Sequence, residues 1–254
     1  MDFYSIRDTI FELGHIDDSL VDSINMLIYE DGIVDTEEIN HLFELNDIVS
    51  GKENSPRWKE LFIKAVTQGV LEDEESPGVI DDDESAFIKN KIGNDGVVDD
   101  IELELLVNIL EHATACSNSF IAYSLSCLHE AIVEDGLIDD EEVALIRRYI
   151  FSNARSTGID IEEVVFLFGL NDACDPSENC DGWSVLFTEA IADYVLNDPE
   201  SPGEIDEREA EFLLEQLWGD GEIDSVEMDL LRHLKTHAKS YPESLASLFT
   251  QVGV

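Results

Sequence analysis

The feature that most restricts the fold is a second copy of the chain's own pattern, displaced by 125 positions, as from Asp35 to Asp160. Asp35-Thr36-Glu37-Glu38 returns as Asp160-Ile161-Glu162-Glu163, and Leu42-Phe43-Glu44-Leu45-Asn46-Asp47 returns as Leu167-Phe168-Gly169-Leu170-Asn171-Asp172. The same shift carries Trp58 to Trp183, Phe62 to Phe187, Asp73 to Asp198, Glu84 to Glu209, Gly96 to Gly221, Leu105 to Leu230 and His112 to His237, with no gap. This register reads as an internal duplication, with repeats over 1–117 and 118–254. No Pro/Gly/Ser-rich linker separates the repeats, so they are expected to pack closely.

Within each copy the apolar residues follow a helical period. Val21, Ile24 and Ile28 fall at i, i+3, i+7, and Trp58, Leu61, Phe62 and Ala65 at i, i+3, i+4, i+7, the second set on a helix reaching about Leu71. The helix after Asp35 is expected to end at Asn46-Asp47, and the polar stretch that follows, to Pro56, reads as a loop. Others begin at Asp82, near Asn118, after Asp139 and after Pro242. No strand alternation is visible. The expected fold is all-α, with about twelve short helices in two closely packed repeats.

The helix starts share a motif, Gly-x-Ile/Val-Asp-x-x-Glu, at Gly32, Gly78, Gly96, Gly136, Gly203 and Gly221. Gly supplies the positive φ that turns the chain. Asp is the N-cap, Glu at N3 reaches back to the N-cap N–H, and the apolar residue before Asp packs on N4. Acidic residues in a first turn also oppose the helix dipole favourably. Gly14-His15-Ile16-Asp17-Asp18 reads as a worn copy of the same device.

Two copies carry more. Asp73-Glu74-Glu75-Ser76-Pro77-Gly78-Val79-Ile80-Asp81-Asp82-Asp83-Glu84 and Asp198-Pro199-Glu200-Ser201-Pro202-Gly203-Glu204-Ile205-Asp206-Glu207-Arg208-Glu209 each lie between two helices. Counted as twelve-residue loops they resemble the EF-hand, with acids at 1, 3, 9 and 12 and Gly at 6. On this reading Asp73, Glu75, Asp81 and Glu84, with Asp198, Glu200, Asp206 and Glu209, are side-chain ligands to Ca²⁺, and Val79 and Glu204 offer carbonyls. Position 5 is Pro77 or Pro202, which has no side-chain oxygen, so affinity is expected to be weak, on the order of 10⁻⁵ to 10⁻³ M. Ser-Pro-Gly is also what a type II turn uses.

The pattern also resembles the TerB-like family of bacterial tellurite resistance. The likeness rests on Asp31, Gly32, Val34 and Glu38; Asp95, Gly96, Val98 and Glu102; Asp135, Gly136, Ile138 and Glu142; and Asp220, Gly221, Ile223 and Glu227. It implies an acidic, all-helical module with cation-associated binding roles in stress-response or membrane-linked complexes, and no known reaction.

Composition limits the partners. There are 59 Asp and Glu against 14 Lys and Arg, a formal net charge of −45, yet 44% of residues are apolar, enough for a core. Such a surface repels phosphate backbones and anionic membranes, and attracts cations and basic protein surfaces. Direct nucleic-acid binding and membrane insertion are therefore not expected. The four cysteines, Cys116, Cys127, Cys174 and Cys180, form no CxxC pair, and Cys174 and Cys180 are close enough to pair if oxidised. With no signal-peptide pattern at the start, the expected location is the cytoplasm. No phosphate loop, nucleophile elbow or Ser/His/Asp set is present, so no enzymatic reaction is expected. His233 and His237, one helical turn apart, are a possible zinc pair, although an ordinary pair of histidines is the commoner finding at that spacing.

Two functions stay open. A cation-binding module predicts a calcium-dependent rise in melting temperature that is lost on Glu84→Gln with Glu209→Gln. An acidic interaction module, similar to a nucleic-acid mimic, predicts salt-sensitive binding to a basic partner that is indifferent to chelators.

Overall fold

Free backbone N–H groups at the first turn of a helix need acceptors, and this chain supplies them with aspartates. In the computed structural model, which describes residues 2–72, 76–94, 98–151, 158–219 and 221–254, thirteen α-helices account for nearly all regular structure among the described residues. The all-α class holds. The chain divides into two compact units, one up to Cys127 and the other from Leu128 onward.

In the first unit the order is α1 (Phe3–Leu13), α2 (Asp18–Ile28), α3 (Thr36–Val49), α4 (Pro56–Leu71), β1 (Val79–Ile80), α5 (Asp82–Lys89), α6 (Asp100–His112), β2 (Ala115–Cys116) and the start of α7 (Asn118–Ile132). The central helix is α4, packed against α2, α3 and α6. In the second unit α8 (Asp140–Ile150), α9 (Ile161–Ala173), α10 (Asp181–Leu196), α11 (Glu207–Leu217), α12 (Ser225–His237) and α13 (Glu243–Val252) follow. There α10 is central, packed against α8, α9 and α12.

Seven helices, α3, α5, α6, α8, α9, α11 and α12, start with a complete capping box built from Asp at the N-cap and Glu at N3. All four boxes expected from the shorter motif copies are among them. A cap of this kind contributes about 1 kcal/mol. The motif glycines Gly32, Gly136 and Gly221 have φ of 86°, 78° and 90°; Gly96 and the acids Asp95 and Asp220 lie outside the described residues.

The same interior contacts recur at the 125-residue displacement, as from Asn46 to Asn171. Phe43 meets Phe62 edge-on at 5.2 Å, and Phe168 meets Phe187 at 5.0 Å. The Trp58 indole N–H donates to Asn46 Oδ1 at 3.3 Å, and Asn46 Nδ2 donates to Asp99 Oδ2 at 3.1 Å. In the second unit Trp183 donates to Asn171 at 3.0 Å, and Asn171 donates to Asp224 at 2.7 Å. Each capping aspartate thus spends Oδ1 on its own helix and Oδ2 on a buried asparagine from another.

Three differences from the sequence reading have physical causes. Helix α3 runs on through Asn46 and Asp47 to Val49, because Asn46 is buried and its amide is satisfied by Trp58 and Asp99 rather than by a turn. Helix α1 buries only Ile6 and Ile10, too sparse a stripe to mark a helix. The two-residue strands β1 and β2 pair in parallel, Val79 with Ala115 and Ile80 with Cys116, and two residues are too few to show an alternation.

The network predicts unequal costs for chemically similar changes. Asn171→Ala leaves the Trp183 N–H and an Asp224 oxygen without their partner inside the core, so a loss of about 1–3 kcal/mol is expected. Exposed Asn197→Ala is expected to change stability by less than about 0.5 kcal/mol. Urea midpoints measured at unchanged m-value check this, and equal shifts for the two variants exclude the assignment.

Candidate functional site

The two acidic loops share a backbone built by a turn. The Val79 N–H donates to Ser76 O and the Glu204 N–H to Ser201 O, both at 2.9 Å. The third turn residues, Gly78 and Gly203, have φ of 78° and 81°. This is the type II turn that Ser-Pro-Gly favours, with proline second and glycine third. The Gly78 carbonyl accepts the Thr114 N–H at 2.7 Å and the Gly203 carbonyl accepts the Lys239 N–H at 2.8 Å.

In the first loop Asp73 and Glu75 lie outside the described residues. Val79 sits in β1. Asp81 Oδ1 accepts the Asp83 N–H at 2.8 Å and the Glu84 N–H at 3.3 Å. Glu84 returns Oε2 to the Asp81 N–H at 3.0 Å, and its Oε1 accepts the Ser76 hydroxyl at 3.3 Å. The Glu84 side chain and then the Asp83 N–H hold the Asp81 carboxyl below its ordinary pKa.

The second loop is described in full. Asp198 Oδ1 accepts the Glu200 N–H at 2.8 Å. Asp206 Oδ1 accepts the Glu209 N–H at 2.9 Å, and Glu209 Oε2 accepts the Asp206 N–H at 2.7 Å. Glu204 pairs with Ser240 as an isolated parallel bridge. A cation already lies among the acids: Arg208 Nη2 is 3.1 Å from Asp206 Oδ2, 3.2 Å from Glu200 Oε2 and 4.0 Å from Asp198 Oδ2. Lys239 adds a second, its ammonium donating to the Pro202 carbonyl at 2.8 Å. The hydrogen bond to Asp206, then the charges of Asp206 and Glu200, push the guanidinium pKa up.

Three of the expected ligands, Asp198, Glu200 and Asp206, are therefore brought together, but around a guanidinium. Glu209 is buried and points to the N-cap; burial raises its pKa. The first loop has Asp83 and Thr114 at the places of Arg208 and Lys239. Sequence reasoning listed the acids and passed over this substitution, although position 11 of the two loops differs in sign. Among the described residues, no three or more His, Cys, Asp or Glu side chains form a group able to hold a metal ion.

Each unit also carries an open groove at equivalent positions. The groove between α4 and α6, about 850 Å³, includes Lys59, Lys64, Glu104, Asn108 and His112. The groove between α10 and α12, about 790 Å³, places Ser184, Glu189, Asp229, His233 and His237 there instead. The first groove is crossed by an ion pair between Lys59 and Glu104. Cys116, Cys127, Cys174 and Cys180 form no disulfide.

No protein-family model, curated protein or solved structure matches this chain. Among the described residues no helix is long and apolar enough to cross a membrane.

A buried carboxylate beside the first unit's cap gives the chain a measurable pH response. Glu102, 2% exposed, accepts the Gly93 N–H at 3.1 Å and the Asp99 N–H at 3.3 Å. Burial, and then the charge of Asp99, raises its pKa from 4.5 to about 7. The folded state therefore holds this proton more tightly than the unfolded chain. Its stabilisation is complete below the unfolded value and is lost as pH rises through the folded one, about 3 kcal/mol in all. Glu102→Gln is expected to flatten the decline in stability between about pH 5 and 7.5, read as the difference in urea midpoints from the unmodified chain. An unchanged slope excludes the assignment.

Proposed function

We propose that this chain is a non-enzymatic, acidic helical binding module whose carboxylate surface receives the cationic side chains of a basic protein partner. The observation that carries the reading is Arg208 seated among Asp198, Glu200 and Asp206 at the distances given above. The chain's own guanidinium in that cluster supports the reading. Arginine suits the role because its planar fork engages several carboxylate oxygens at once and is weakly hydrated. The remaining excess of acid, a net charge of −45, speeds the approach of a basic surface and screens out anionic ones. The TerB-like relationship belongs to the same proposal; its support is the Asp-Gly motif and the capped helices that follow it.

A second reading keeps divalent-cation uptake, with Ca²⁺ as the ion, for the first loop. It is favoured by Asp83, which stands where the second loop places Arg208. Glu84 and Asp81 would take part from the described residues. On this reading calcium heat is lost on Glu84→Gln and retained on Glu209→Gln, and no heat at millimolar calcium ends it.

The main reading is tested with an arginine-rich peptide in the presence of chelator at about 0.15 M salt, where unspecific attraction is screened beyond about 8 Å. Arg208→Ser vacates the cluster and is expected to tighten peptide binding several-fold. Arg232→Ser makes the same change in net charge elsewhere and is expected to leave binding within about twofold, since distant exposed charges are screened. Equal tightening by both variants, or a requirement for calcium, overturns the proposal.

A further inference from the structure

The groove of the second unit differs from that of the first most plainly at one position, where His233 replaces Asn108. His233 and His237 lie one turn apart on α12, and their rings stack with centroids 4.0 Å apart and planes at 21°. The His237 Nδ1 is 2.8 Å from the His233 carbonyl oxygen. A carbonyl only accepts, so Nδ1 is the donor in this bond and Nε2 is the nitrogen left to face a metal. Metal-bound histidines are typically held this way, the second ring nitrogen donating to a backbone oxygen. His112 has the same bond, at 2.8 Å to the Asn108 carbonyl, but no second imidazole beside it.

We propose that His233 and His237 form a two-histidine clip for a borderline divalent transition metal ion, Cu²⁺ or Zn²⁺, in the groove of the second unit. Imidazole nitrogen selects these ions over Ca²⁺ and Mg²⁺. The rings now lie face to face, so their in-plane lone pairs run nearly parallel; they turn out of the stack to bring both Nε2 atoms onto one ion, where two nitrogens at about 2.0–2.1 Å lie about 3.4 Å apart. Water completes the coordination shell. Asp193 from α10 lines the same groove and favours a positive ion there, while Glu189 is paired with Arg147 at 2.8 Å and Arg232 with Asp229 at 2.6 Å.

This site is independent of the acidic loops and of the partner reading. The test uses Cu²⁺ on the full chain with excess Mg²⁺ to occupy carboxylates, read by the nitrogen hyperfine pattern in electron paramagnetic resonance. One equivalent of copper with two nitrogen ligands is expected. Losing the group behind a ligand costs about 10–100-fold in affinity, so losing the ligand in His233→Asn should cost at least about tenfold and leave one nitrogen. The reciprocal Asn108→His is expected to create a second two-nitrogen equivalent in the first unit. Melting curves without metal establish that both variants are folded. Copper bound without a two-nitrogen pattern, or a pattern that survives His233→Asn, overturns the proposal.

Discussion

The fold depends on carboxylates that accept backbone N–H groups at helix starts. With so many acids and so few bases, repulsion works against any compact state. The capping boxes turn part of that liability into structure, because in six of the seven the aspartate Oδ1 meets two N–H dipoles and in every one the glutamate meets one more. Acid is concentrated where the helix dipole is positive, and short helices that would be marginal alone are fixed in length and direction. Asp35 is held below its ordinary pKa by Glu38 and by its own helix start. The stabilisation is local, and so it can be repeated without a large core at every start.

The caps also do tertiary work. Asp99 and Asp224 divide their two oxygens between a helix start and a buried asparagine, and that asparagine holds a tryptophan on the central helix. Three helices of each unit are thereby locked in one register by four polar atoms. This explains why a polar residue lies in the core at all: Asn46 and Asn171 are each 1% exposed, and each has its donor and acceptor satisfied. An apolar side chain of the same size would leave the tryptophan N–H unpaired and take one donor from the aspartate oxygen, which in the first unit keeps the Ser50 hydroxyl at 2.9 Å, at a cost comparable to the packing it gained.

Much of this was legible in the residues. Gly-x-Ile/Val-Asp-x-x-Glu predicts a cap and a return bond, and the structure supplies both with little help from distant parts of the chain. What was not legible depends on distance in sequence. The Asn46–Asp99 and Asn171–Asp224 bonds each span 53 residues, and Asn-Asp looks like a helix end until its partners are known. The β1–β2 pairing joins two-residue segments that carry no period. Arg208 was visible as a letter, but its effect was not, because a single arginine in an acidic loop shows which oxygens it reaches only when the loop is folded.

The two units offer a comparison that separates framework from site. Positions that build the fold are the same in both: Trp58 and Trp183, Asn46 and Asn171, Asp99 and Asp224, the turn glycines Gly78 and Gly203. Positions that face the loops and grooves differ in charge or chemistry: Asp83 and Arg208, Thr114 and Lys239, Asn108 and His233, Lys64 and Glu189. A side chain that only fills space or caps a helix has little freedom to change once its neighbours are fixed. A side chain at the rim of a groove can change from cation to anion at small cost in stability, since exposed ion pairs contribute about 0–1 kcal/mol. The differences therefore fall where the fold is indifferent, and that is where a shared scaffold can acquire two specificities. The second unit sets an arginine among its loop acids and gathers imidazoles in its groove, while the first has no basic residue in its loop sequence and lines its groove with lysines. A partner or ion that distinguishes the two units can read these positions, because the capped helix starts, the tryptophan–asparagine–aspartate chain and the loop turns recur in both.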